Sequence, residues 1–138
     1  MEQQAKLFLN VLLIEDSEDD AFFINDALRR GGYELFCKRV QTAAEMRQAL
    51  TSQTWDLVLS DHRVPGFSGM EAFEIYRTSG LRIPFIMLSG SIDEEMAVSV
   101  RKTGVHDYVS KDHLDQLAAA VRRHLRAAGK TESKGYSR

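Results

Sequence analysis

Hydrophobic and polar positions alternate along the chain with two different periods. Continuous apolar runs occur at Val11–Ile14, Leu57–Leu59 and Phe85–Leu88. Runs of this kind are typical of strands that are buried on both faces of a sheet. Two weaker strand candidates are Tyr33–Val40 and Asp107–Val109.

Between these runs, apolar residues recur at the spacing of a helix that has one buried face. The faces are Ala21, Ile24 and Leu28; then Ala43, Met46 and Leu50; then Leu114, Leu117, Ala118, Val121 and Leu125. Capping-box spacing precedes three predicted helices, at Thr42 with Glu45, Ser68 with Glu71, and Ser91 with Glu94. Glycines at positions 31, 32, 80 and 104 suit helix ends. The pattern therefore predicts five β-α units, which implies an α/β fold with a parallel sheet between two helical layers.

The length of 138 residues suits one domain. We expect residues 1–8 to be a polar lead that runs into the first strand, residues 9–127 to be the domain, and residues 128–138 to be a flexible tail or linker. The tail is either a natural end or the start of a linker to a further domain.

Charge and cysteine content exclude several classes of function. The 18 basic and 20 acidic residues leave a net charge of −2, so neither a nucleic-acid groove nor a polybasic membrane patch is indicated. The single cysteine, Cys37, cannot form an intrachain disulfide, which suits a reducing compartment. Because the first six residues lack an apolar signal core, we expect a soluble cytoplasmic protein.

Polar residues follow four of the predicted strands. They are Glu15 and Asp16, Ser60 and Asp61, Ser89 to Ser91, and Ser110 with Lys111. Ligands of open parallel sheets bind beyond the carboxyl ends of the strands. We therefore expect three acids, a hydroxyl and a lysine to converge at one edge.

This set of side chains suits phosphoryl transfer to a carboxylate. Crowded carboxylates repel one another, and a hard cation such as Mg²⁺ relieves that repulsion. Asp61 would then be an oxygen nucleophile beside a cation, while Lys111 and Ser89 stabilise phosphoryl oxygens. The turn at Val64 to Gly66 would present a backbone carbonyl to the metal.

Four motifs together resemble the receiver domain of bacterial response regulators, from Leu9 to Leu125. They are VLLIEDSEDD, DLVLSDHRVPGFSG, IPFIMLSGS and GVHDYVSKDHL. The resemblance implies a flavodoxin-like, doubly wound (βα)5 fold with strand order 2-1-3-4-5. It also implies a two-component phosphorelay receiver that takes a phosphoryl group from a histidine kinase or a phosphotransfer protein, with Mg²⁺ or Mn²⁺. Such a domain is a signalling module, which catalyses only its own phosphorylation and dephosphorylation.

The resemblance also implies roles for individual residues. Asp61 would be the phosphoacceptor, and the metal would be held by Glu15, Asp16, Asp61 and the backbone carbonyl of Arg63. Ser89 and Lys111 would contact the phosphate, and Tyr108 would change rotamer on activation. Positions that tune the lifetime of the phosphate match Arg63 and Ser91.

A few positions depart from the commonest family pattern. Glu15 replaces the more usual aspartate and Ser89 the frequent threonine, and both keep the required chemistry. Val64 stands where methionine is common, and Gly90 stands where alanine is common, which would open access to the phosphate.

The resemblance implies an output face made by the fourth helix, the fifth strand and the fifth helix. Its expected exposed residues are Glu94, Glu95, Arg101, Lys102 and Arg122. Mixed charges suit a protein partner or a second copy of the domain better than DNA. We therefore expect no direct nucleic-acid binding and no membrane contact.

Three other functions are consistent with parts of the pattern. An aspartyl-phosphatase would use the same nucleophile but needs a second acid two residues later, where this chain has Arg63. A flavin carrier of this fold needs a phosphate loop after the first strand, where this chain is acidic. A degenerate receiver would bind partners without phosphorylation, against which the intact acids and Lys111 argue. Taken singly, each acid could be a solvated loop residue and Tyr108 a half-buried strand aromatic.

Overall fold

The protein was studied as a computed structural model, which describes residues 7–90 and 94–129. One five-stranded parallel sheet forms its centre. The strands are β1 (Leu7–Ile14), β2 (Tyr33–Val40), β3 (Leu57–Asp61), β4 (Phe85–Ser89) and β5 (Asp107–Ser110). Their spatial order is β2-β1-β3-β4-β5, so the doubly wound order implied by the resemblance is confirmed.

Among the described residues, four α-helices connect the strands, a fifth follows β5, and together they cover both faces of the sheet. They are α1 (Glu18–Arg30), α2 (Ala43–Ser52), α3 (Gly69–Ser79), α4 (Glu94–Arg101) and α5 (Leu117–Ala127). No helix among the described residues combines the length and the apolarity needed to cross a bilayer.

Two core layers explain why the strand sequences are continuously apolar. Leu9 and Leu13 of β1 pack with α1 and α5, whereas Leu12 and Ile14 pack with residues of α2, α3 and α4. Successive side chains of a strand point to opposite faces, so both sets must be apolar when both faces are covered. Trp55 closes the second layer just before β3, and its Nε1 donates to the carbonyl of Ala49 at 2.9 Å.

The capping predictions are confirmed to different degrees. Ser68 and Glu71 form the complete reciprocal box at the start of α3. At α2, Thr42 accepts from the backbone of Glu45 as predicted, but the Glu45 carboxylate accepts from Gln41 instead of from Thr42. The predicted cap at Ser91 lies outside the described residues.

The chain departs from the predicted helix in its last unit. Residues Lys111–Gln116 form a 3₁₀ segment with His113 at φ −131°, and α5 begins only at Leu117. A second difference is a short antiparallel hairpin after β3, with two residues in each strand. Arg63–Val64 pairs there with Phe67–Ser68. Gly66, at φ 75°, makes the turn of that hairpin.

Arg122 does not lie exposed on the face where we expected it. Its guanidinium donates to the carbonyl of Gly31 at 3.0 Å and lies 6.0 Å from the ring centre of Tyr33. It therefore packs toward α1 and β2, because its position on α5 points away from β5. Its neighbour Arg123 instead contacts Asp107 of β5, at 2.6 Å.

Gly31 permits the close approach of α1 and α5. A Cβ at this position would overlap the Cβ of Ala118. Gly31→Ala should therefore lower the free energy of unfolding by about 1–3 kcal/mol, measured by urea denaturation. Gly90→Ala is the control, because a Cβ there meets no described atom within 4 Å. Equal stability of the two variants would contradict this packing.

Candidate functional site

Three carboxylates meet at the carboxyl edge of the sheet, after β1 and at the end of β3. Glu15 and Asp61 are buried and Asp16 is exposed. One ligand oxygen from each lies within 4.8 Å of the others. The sequence therefore predicted correctly that these three side chains converge.

Glu15 is fixed by hydrogen bonds to the end of β2 and to the N-cap of α1. Its amide donates to the carbonyl of Val40 at 3.1 Å, and its own carbonyl accepts from the Arg39 guanidinium at 3.1 Å. Its carboxylate accepts from the amide of Ser17, also at 3.1 Å. Ser17 is the N-cap of α1, so the same turn that starts the helix orients the Glu15 carboxylate.

Asp61 is held by the ladder of β3 and by the start of α3. The amide of His62 donates to the carbonyl of Leu88 at 2.7 Å, and the amide of Gly69 donates to the carbonyl of His62 at 2.9 Å. A Cβ on Gly69 would lie 2.9 Å from the carbonyl oxygen of Asp61, so only glycine fits against this strand end.

Lys111 joins the acids through its ammonium group. Its Nζ lies 2.8 Å from Glu15 Oε1, 2.7 Å from Asp20 Oδ2 and 3.2 Å from Asp61 Oδ2. The side chain of Lys111 is only 14% exposed. Asp20 was not among the predicted site residues, because sequence patterns do not show that the first turn of α1 reaches the end of β5.

Burial and charge act in opposite directions on these groups. Burial raises the pKa of the Glu15 carboxyl above its ordinary value and the charge of Asp61 adds to that rise, while hydrogen bonds from Lys111 and Ser17 oppose it. Burial lowers the pKa of Lys111, but its contacts with Asp20, Glu15 and Asp61 outweigh that and raise it overall. Lys111 therefore stays positively charged, while burial disfavours the charged form of Glu15.

A cavity of about 470 Å³ opens beside Asp61. Its lining comprises Asp20, Asp61, His62, Arg63, Ser89, Gly90, Met96, Tyr108 and Lys111. The cavity thus brings together five predicted site residues, which are Asp61, Arg63, Ser89, Tyr108 and Lys111. Ser91 lies outside the described residues, so its predicted place near the phosphate is untested.

Tyr108 lies with its ring turned inward. It is 4% exposed, and its ring packs edge-on against His62 with the ring centres 6.0 Å apart. Among the described residues its hydroxyl has no hydrogen-bond partner. The rotamer change expected of Tyr108 stays a prediction. His62 is half-buried and lines the cavity.

The donor atoms suit a hard divalent cation. The cluster offers carboxylate oxygens alone, which Mg²⁺ and Mn²⁺ prefer. Two of its three carboxylates are buried and share a single lysine with Asp20, so a further positive charge would offset the repulsion between them. The residues present therefore fit the metal that the resemblance implies.

Comparison with known proteins assigns the chain to a family. Residues 11–122 match the model of the response regulator receiver domain. The chain belongs to this family. As a receiver domain, it is the phosphoacceptor module of a two-component signalling system.

A relative of known function lies among the curated proteins. The chain is 31% identical over 114 residues to the DNA-binding transcriptional regulator NtrC of Escherichia coli (strain K12). The match covers 82% of this chain but only 24% of NtrC. The chain thus spans about a quarter of the length of that relative.

Solved structures show the same receiver fold. The receiver domain of the Francisella response regulator 1452 has a TM-score of 0.73 at 22% identity, covering 86% of this chain and 98% of that one. The receiver domain of sensor histidine kinase PA1611 from Pseudomonas aeruginosa PAO1 has a TM-score of 0.71 at 24% identity, with the same coverage. The PA1611 structure carries a magnesium ion coordinated in its active-site cleft.

Proposed function

We propose that Asp61 accepts a phosphoryl group from a phosphohistidine of a sensor kinase or phosphotransfer protein. The observation that carries this proposal is the grouping of Asp61 with Glu15, Asp16 and Lys111, in which Asp61 and Lys111 also line one cavity. A carboxylate oxygen of Asp61 forms a bond to phosphorus, the bond from phosphorus to the histidine nitrogen breaks, and its electron pair returns to that nitrogen.

Glu15, Asp16, Asp61 and the Arg63 carbonyl would hold the metal. When bound, Mg²⁺ neutralises charge on the phosphoryl oxygens and on the crowded carboxylates. The magnesium in the cleft of the related receiver PA1611 supports this assignment. Mn²⁺ would serve the same oxygen ligands.

Lys111 and Ser89 would stabilise the remaining charge of the phosphoryl group. Both line the cavity beside Asp61, and the Lys111 ammonium already lies 3.2 Å from the Asp61 carboxylate. A fixed cation in a largely buried position stabilises developing negative charge more strongly than it would in water.

Loss of the phosphoryl group would occur by attack of water on phosphorus. The bond from phosphorus to the Asp61 oxygen breaks, which restores the carboxylate and releases inorganic phosphate. Arg63, at the rim of the cavity, and Ser91 would border the path of that water. Substitutions at these two positions should change the lifetime of the phosphate more than the rate of labelling.

Phosphorylation would be transmitted to the face formed by α4, β5 and α5. This face carries a groove of about 820 Å³, and at one side of it Asp107 contacts Arg123 at 2.6 Å and His124 at 3.0 Å. Tyr108 lines both this groove and the Asp61 cavity, so a change in its ring position would reach both. The groove would receive a protein partner or a second copy of the domain.

Amide exchange with and without beryllofluoride and Mg²⁺ tests this output surface. Beryllofluoride imitates a phosphoryl group on a carboxylate. Slower or faster exchange in α4, β5 and α5 supports the proposal. Changes that are centred on α1 and α2 would place the output surface elsewhere.

Asp16→Ala should weaken Mg²⁺ binding by about tenfold or more, because a charged ligand is removed. Mg²⁺ affinity is measured by isothermal titration calorimetry. Asp115→Ala is the control, since Asp115 is exposed and lies in the 3₁₀ segment. Equal affinity in the Asp16 variant and the wild type would exclude a direct ligand role for Asp16.

A further inference from the structure

Asp20 makes the shortest contact of the Lys111 ammonium. The distance from Nζ to Asp20 Oδ2 is 2.7 Å, against 3.2 Å to Asp61 Oδ2. This contact joins two elements that are 91 residues apart in sequence. The Asp20 position is fixed because its amide donates to the Ser17 hydroxyl, at 3.1 Å, in the capped first turn of α1.

The three donors of an ammonium group face three carboxylates here, those of Glu15, Asp20 and Asp61. Two of these, Glu15 and Asp61, belong to the candidate metal cluster, and Asp20 does not. A cation in that cluster would offset the charge of Glu15 and Asp61 but not that of Asp20. Asp20 would then be the strongest anion that Lys111 meets before phosphorylation.

A phosphoryl group on Asp61 would also accept hydrogen bonds from the Lys111 ammonium. Its oxygens would lie in the cavity beside Asp61, which Lys111 and Asp20 also line. A donor that the Lys111 ammonium keeps on Asp20 is withheld from the new dianionic group, and the Asp20 carboxylate in the same cavity repels that group. We infer that Asp20 competes with the phosphoryl group for Lys111 and so favours the unphosphorylated state.

This inference rests on the proposed function and adds a positioning residue to it. The expected size of the effect of Asp20 on phosphoryl binding follows from the exposure of its side chain. The Asp20 side chain is 42% exposed, so water can replace the ammonium when the contact breaks. A partly exposed ion pair of this kind changes an equilibrium by about three- to tenfold.

Asp20→Asn tests the inference, with Asp19→Asn as the matched control. Both variants lose one negative charge from the first turn of α1, and Asp19 is exposed. Any general effect of charge on Mg²⁺ or on an anion is therefore shared by the two. Only Asp20→Asn removes the negative charge that pairs with Lys111.

Two titrations separate the roles. Mg²⁺ affinity, measured by calorimetry, should be the same in both variants. In saturating Mg²⁺, the dissociation constant of beryllofluoride, measured by amide NMR, should be about three- to tenfold lower in Asp20→Asn than in Asp19→Asn. In metal-free protein, Asp20→Asn should have the lower thermal unfolding midpoint of the two, because it alone loses an ion pair.

The outcomes distinguish this inference from the proposed function. If beryllofluoride fails to bind the wild type in the presence of Mg²⁺, the proposed function fails and the inference fails with it. If the wild type binds beryllofluoride but the two variants have equal dissociation constants, only the inference is wrong. Weaker binding by Asp20→Asn would also overturn it, since Asp20 would then present Lys111 to the phosphate.

Discussion

Asp61→Asn should reduce labelling by a small-molecule phosphodonor in Mg²⁺ to the background level. The carboxamide cannot form an acyl phosphate, so the nucleophile itself is lost and no other described acid occupies its place at the end of β3. Labelling is measured with radioactive acetyl phosphate. The expected loss is complete within detection, which makes it the largest effect on activity in this protein.

Asp115→Asn is the control for this result. Asp115 is exposed in the 3₁₀ segment, outside the lining of the Asp61 cavity, so its variant should label at the wild-type rate. Retention of most labelling by Asp61→Asn, in protein with a normal unfolding transition, would show that another residue carries the phosphoryl group.

Lys111→Met should cause the largest loss of stability in metal-free protein. Removing the ammonium leaves Glu15 and Asp61 buried without their cation, and Asp20 loses its partner as well. Removing one partner of a buried ion pair lowers the free energy of unfolding by about 3 kcal/mol, because the other charge stays buried without compensation. The free energy of unfolding is measured by urea denaturation at pH 8, and added Mg²⁺ should recover part of the loss.

The same variant should show a steeper dependence of stability on pH. Burial raises the pKa of Glu15 in the folded protein above its value in the unfolded chain, so the folded state binds this proton more tightly. Stability due to Glu15 therefore increases as pH falls from neutral toward that raised pKa. Without Lys111, which opposes the rise, the loss of stability at pH 8 should be larger than the loss at pH 5.5.

Lys38→Met is the control for both measurements. Lys38 is an exposed residue of β2, so its loss should change stability by no more than a few tenths of a kcal/mol. If Lys111→Met proves as stable as Lys38→Met at pH 8, the carboxylates do not depend on Lys111 for their charge.

The fold was predictable because the three central strands, β1, β3 and β4, have runs that are buried on both faces. Apolar runs such as Val11–Ile14 and Phe85–Leu88 leave no alternative to a sheet between two helical layers. The break before α5 was not predictable, because Leu114 continues the apolar spacing of α5. The structure interrupts that spacing at His113, whose backbone leaves the helical region.

The candidate site was predictable as far as it follows from strand ends. Glu15, Asp16 and Asp61 converge because the carboxyl ends of parallel strands meet at one edge. Contacts that depend on the direction of a long side chain were not predictable. Arg122 illustrates this, since a small rotation of α5 decides whether it faces β5 or, as found, Gly31.

Asp20 shows the same limit inside the site. In the sequence, Asp20 has the position of an ordinary acid in the first turn of a helix. A negative charge at that position interacts favourably with the helix dipole. Only the packing of α1 against the segment after β5 brings it to Lys111. The sequence therefore predicts the acids and the lysine at the strand ends, but it does not predict that Asp20 contacts Lys111.

The central claim is that Asp61 carries the phosphoryl group, and mapping the modified residue tests it most directly. Protein labelled with acetyl phosphate in Mg²⁺ is reduced with borohydride, which converts an aspartyl phosphate to homoserine, and is then digested and sequenced by mass spectrometry. The account predicts homoserine at position 61 alone. Homoserine at position 16 or 20, or a phosphate that resists borohydride, would contradict it.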